Sequence, residues 1–80
     1  MVKAAILVTV APGKVDDVAG KVRALEHITD VLTVAGRADV VVLCEGTFED
    51  ISAVARKVSE IDGVETTERL LSWSVKWLRL

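Results

Sequence analysis

Two stretches decide most of what this chain can become: positions 4–8 (AAILV) and 40–44 (VVVLC) are apolar at every residue. A strand with one wet face alternates apolar and polar side chains, so a short unbroken apolar run bounded by turn residues marks a strand covered on both sides. The first run extends over residues 2–10 and is closed by Pro12 and Gly13. The period then changes. Val15, Val18, Ala19, Val22 and Leu25 recur at helical spacing, with Asp16, Asp17, Lys21, Arg23 and Glu26 between them. The acids fall in the first turn and His27 just past the last, where the helix dipole favours each.

Residues 28–34 and 39–45 are two further strand-like runs. The four residues Ala35, Gly36, Arg37 and Ala38 between them predict a tight hairpin in which Gly36 takes φ > 0, which makes these strands antiparallel neighbours. Thr47 is placed to cap a second helix with Asp50 three residues on, and Phe48, Ile51, Val54, Ala55, Val58 and Ile61 mark its buried stripe up to Gly63. Residues 64–80 form a last strand whose tail sets Leu71, Trp73, Val75 and Trp77 on one side. Gly20, costly inside the first helix, is expected to mark close packing. The order is βαββαβ, an α+β, ferredoxin-like plan in one domain over residues 1–80, with both helices on one face of a four-stranded antiparallel sheet.

Two helices cover one face of four strands and leave the other, about 400 Å² from strand spacing and length, without a partner. Because the central strands are apolar on that side too, the pattern predicts a homo-oligomer in which two sheets pack face to face, with Trp73 and Trp77 as contributors.

Composition removes several classes. The chain is 51% hydrophobic and 28% charged, with mean hydropathy +0.44, too apolar for a disordered segment. Its apolar runs are far short of the ~20 residues of a membrane span, and no export signal is evident. One cysteine, Cys44, cannot form an internal disulfide, which suits a reducing cytoplasm. Ten basic and twelve acidic residues are interleaved, giving net charge −2 and no footprint for direct nucleic-acid binding. No metal or cofactor set is evident.

At the hairpin the sequence becomes more specific. The segment ITDVLTVAGRADVVVLCEG, with Gly36-x-x-Asp39 between two hydrophobic strands, resembles the signature of the RAM domain, the effector-binding and oligomerisation domain of Lrp/AsnC transcriptional regulators. IDGVETTERLL resembles that family's entry into its last strand. The resemblance covers nearly the whole chain. Regulators of this family carry an N-terminal helix-turn-helix, for which residues 1–80 hold no counterpart, so the expectation is a stand-alone RAM domain. The resemblance implies sheet-to-sheet dimers, larger rings, and a small, amino-acid-like effector bound between dimers near the hairpin.

Carried onto this sequence, the implied effector-binding residues are Val34, Ala35, Gly36, Arg37, Ala38, Asp39, Thr66 and Thr67. Gly36 would admit a ligand close to the backbone. Arg37 would meet a carboxylate. Asp39 would brace the turn by accepting its N–H groups or pair with the ligand's ammonium, and the two threonines would add hydroxyls.

Competing functions rest on less. A co-assembly partner for a full-length Lrp/AsnC regulator stays open. A small cofactor-free enzyme of the dimeric α/β barrel type would need a nucleophile or base with partners, and the chain offers only His27 at a helix end and Cys44 inside an apolar strand. The strand order is also that of the RNA-recognition motif, but its base-stacking positions carry no aromatic residue here. The ACT domain, another amino-acid binder, is similar at Ala11-Pro12-Gly13.

Overall fold

The structure, a computed structural model, describes residues 1–72. Its elements are β1 (Val2–Val10), α1 (Val15–Arg23), β2 (Ile28–Thr33), β3 (Val40–Gly46), α2 (Phe48–Ser59) and β4 (Val64–Ser72). The strands form one antiparallel sheet in the order β2-β3-β1-β4. This is the ferredoxin-like βαββαβ plan. Trp73, Val75, Lys76, Trp77 and the rest of the expected tail lie outside the described residues.

The two apolar runs are the two central strands, β1 and β3, paired from Val2↔Gly46 to Val8↔Val40. Alternation then divides their side chains. Ala4, Ile6, Val8 and Val10 of β1 and Val40, Val42 and Cys44 of β3 are buried, in one cluster with Val18, Ala19 and Val22 of α1 and Ile51, Val54 and Val58 of α2. Both helices therefore cover the same face. The intervening residues Ala5, Leu7, Val41 and Leu43 face the other side and are half-buried. On the flanking strands Leu32 and Leu70, the cross-strand partners of Val41 and Ala5, are 44% and 51% exposed.

Capping follows the residues. Thr47 accepts the Asp50 N–H at 3.1 Å, while Asp50 accepts the Thr47 N–H at 2.9 Å, a reciprocal box that satisfies two of the helix's first donors. Gly63, at φ +99°, turns the chain from α2 into β4 with a Cβ position only 2.9 Å from Lys14 Cβ. Its carbonyl accepts the Ala11 N–H at 2.8 Å, joining the end of β1 to that turn.

Three local expectations change. Phe48 opens α2 but is 49% exposed, off the stripe that Ile51, Val54 and Val58 bury. Gly20 has nothing within 4 Å of the place a Cβ would occupy, so close packing does not explain it. The β2–β3 connection spans six residues, 34–39, rather than four, since β2 ends at Thr33 and β3 begins at Val40.

Candidate functional site

The strand order decides what surrounds the β2–β3 loop. β1 runs antiparallel to both β3 and β4, so the loop leaves the sheet at the end where β1 finishes and β4 begins. Val40 and Thr67 flank Val8 on either side, and Val41 and Glu68 flank Leu7. Residues 34–39 and 66–68, far apart in the chain, thereby share one end of the sheet.

Within the loop, Gly36 sits at φ +127°, a backbone conformation that side-chain-bearing residues rarely adopt, with open space where a side chain would project. Val34, Ala35 and Arg37 are exposed, whereas Ala38 is 6% exposed and seats the loop. Asp39 is half-buried and makes three tethers. Its N–H donates to the Val8 carbonyl and its carbonyl accepts the Val34 N–H, both at 2.9 Å. Its carboxylate Oδ2 accepts the Val10 N–H at 2.8 Å. The bracing expected of Asp39 is present but directed elsewhere: the carboxylate holds the last residue of β1 rather than the N–H groups of its own turn.

Arg37 extends in the opposite sense. Its Nη2 donates to Glu68 Oε1 on β4 at 3.2 Å, an ion pair with side chains 80% and 52% exposed. Sequence reasoning missed Glu68. The signal that could have found it is its spacing of two from Thr66, which in a strand places both on one face. The pairings Thr9↔Thr66 and Leu7↔Glu68 put them on the sheet side away from the helices. Thr67 is paired with Val8 and projects to the helix side, as does Arg69, whose Nη1 reaches Ser52 of α2 at 3.3 Å. The loop therefore shares a side with Thr66 and Glu68, and Thr67 is set apart from them.

Two other features lie away from this end. A groove of about 450 Å³ occupies the opposite end of the open sheet face, lined by Lys3, Ala5, Leu43, Glu45 and Leu70 among others. His27, at φ +71°, sets Nε2 3.5 Å from Asp50 Oδ1 beside Lys57 in a cleft between the α1–β2 connection and α2. Hydrogen bonds to Thr47, through its backbone first and its side chain second, hold the Asp50 carboxyl below its ordinary value, with a smaller Coulombic contribution from His27. Cys44 is buried in β3, and desolvation pushes its thiol up, away from the reactive thiolate. Among the described residues no group of three or more His, Cys, Asp or Glu could hold a metal ion, and no helix is long and apolar enough to cross a membrane.

The chain is similar to a Thermus thermophilus protein, TTHA0845, at 26% identity and TM-score 0.87, covering 92% of this chain and 95% of that one. A hypothetical protein of Pyrococcus horikoshii is similar at 26% identity and TM-score 0.83, covering 92% of each chain. Escherichia coli AsnC shares the fold at 17% identity and TM-score 0.83, but this chain, 91% covered, spans only 51% of its length. A Neisseria meningitidis transcriptional regulator in complex with L-Met shares the fold at 18% identity and TM-score 0.77, with 91% of this chain and 50% of that one covered. No curated protein matches the chain by sequence. The family described as Lrp/AsnC ligand binding domain matches residues 3–75, nearly the whole chain and every element from β1 to β4, and the protein belongs to that family.

Proposed function

We propose that this protein is an effector-binding and assembly module, binding a small amino-acid-like ligand at the sheet end formed by residues 34–39 and Thr66 and packing its open sheet face against a second copy. The observation that carries the ligand is the match to the Lrp/AsnC ligand-binding family across the segment that builds this end. The geometry supports it: an exposed glycine turn, a guanidinium and a hydroxyl share one side of the sheet, and the Neisseria meningitidis neighbour is a complex with L-Met. In one chain this end is an open surface, so a neighbouring copy would enclose the ligand, and assembly and binding would be linked.

Support for the second copy comes from the apolar centre of the open face, where Leu7, Val41 and Leu43 are flanked by exposed Leu32 and Leu70. Such a contiguous apolar surface is stabilised by exclusion of water when two copies meet. Non-enzymatic action follows from the same family reading. Co-assembly with a full-length regulator is the second reading, supported by the ligand-binding domain that such regulators share with this chain.

A thermal-shift screen against the twenty L-amino acids at millimolar concentration tests the proposal. A ligand at 100 times its Kd adds about 2.7 kcal/mol, a rise of roughly 10 °C or more for a domain this small. No shift with any amino acid overturns the effector reading. Sedimentation at micromolar concentration tests assembly: Leu43→Glu is expected to give monomers where the parent gives oligomers, and a monomeric parent overturns sheet-to-sheet packing.

A further inference from the structure

Resting on the effector reading above, the geometry points to the Arg37–Glu68 ion pair as a two-point receptor for a zwitterion, selecting free α-amino acids over ligands that lack either charge. Four observations converge on it. The pair bridges from the loop, where Arg37 follows Gly36, across the end of β1 to β4, where Glu68 lies two residues from Thr66. Asp39, the acid that the sequence motif suggests for an ammonium, has its Oδ2 engaged by the Val10 N–H. Glu68, at the loop's end of the open sheet side, stands beside the Arg37 guanidinium at 3.2 Å. Among the described residues the pair meets through one nitrogen and one oxygen at 3.2 Å, so the guanidinium keeps further N–H donors and the carboxylate further acceptor capacity.

An α-amino acid carries its ammonium and its carboxylate on one carbon. Laid against the pair, it sets its carboxylate on Arg37 and its ammonium on Glu68, closing a cyclic arrangement of four alternating charges without separating the pair. An N-acetylated amino acid loses the attraction to Glu68, and an amide loses the attraction to Arg37. The pair is exposed, so reorienting its side chains to receive a ligand costs little, and enclosure by a neighbouring copy would then lower the local dielectric and strengthen each charge-assisted contact.

The test is calorimetric titration of the parent, Glu68→Gln, Arg37→Met and Asp62→Asn proteins with the twenty L-amino acids, then with the N-acetyl and amide forms of the tightest binder. Asp62, paired with Lys14 at 3.6 Å, is a control for loss of an exposed ion pair elsewhere. The parent and Asp62→Asn are expected to prefer the free amino acid over both derivatives by about tenfold or more. Glu68→Gln should lose the preference over the N-acetyl form alone, and Arg37→Met the preference over the amide alone. Both side chains are exposed, and thermal melts verify folding of each variant. Discrimination that survives in both variants overturns the receptor assignment while leaving the effector reading intact; no binding of any amino acid by the parent overturns both.

Discussion

Replacing Asp39 by alanine removes the acceptor of the Val10 N–H at 2.8 Å while leaving the backbone tethers of residue 39 in place. Val10 is 6% exposed, so its amide is left with poor access to water. A hydrogen bond to a charged acceptor contributes about 1.5–3 kcal/mol, and an orphaned buried donor costs a similar amount. A loss of about 2 kcal/mol is expected. At roughly 4–8 °C per kcal/mol for a domain of this size, Tm falls by roughly 8–16 °C. Asp39→Asn keeps an oxygen acceptor without the charge and should lose about half as much. Asp30→Ala is the internal control, because among the described residues its carboxylate accepts only the N–H of its own neighbour Val31, and it should cost under about 0.5 kcal/mol. Urea and thermal unfolding at one fixed protein concentration measure all three, since linked assembly would make Tm concentration-dependent. Equal losses for Asp39→Ala and Asp30→Ala would refute the assignment of Asp39 as the tether of β1.

Gly20→Ala, at an exposed helix position where the added methyl meets nothing within 4 Å, should stabilise by about 0.5–1 kcal/mol in the same melts. Gly63→Ala should destabilise by about 1–3 kcal/mol, since φ +99° is strained for alanine and the new Cβ would lie 2.9 Å from Lys14 Cβ. The Asp50 carboxyl is held low in the folded protein, so its contribution is fully present above the ordinary value of 3.8 and is lost as pH falls through the lowered folded value. Asp50→Asn should therefore flatten the acid limb of the stability–pH curve relative to the parent, and an unchanged slope there would count against the Thr47 capping box as its cause.

Much of the fold was legible because local rules and global packing agree. The runs at 4–8 and 40–44 read as strands covered on both sides and are the two central strands, and Thr47 with Asp50 formed the cap their types prescribe. Phe48 was misplaced because an apolar residue at helix spacing is read as buried, while the stripe that the sheet covers begins at Ile51. At the candidate site, the loop and its glycine were legible, and so was the presence of an aspartate with a structural duty. Which group that aspartate holds was not, because Val10 is 29 residues away in sequence.

What sequence by itself determined is the set of elements and their order, since periods of 2 and 3.6 and the residues at caps and turns are local properties. Tertiary structure alone decided which distant residues meet. Threading β1 between β3 and β4 brings Arg37 to Glu68 and aims Asp39 at Val10, and strand alternation separates Thr66 from Thr67. Such contacts depend on sheet order and register, which are set by the burial of the whole apolar face at once and are written in no short stretch of residues.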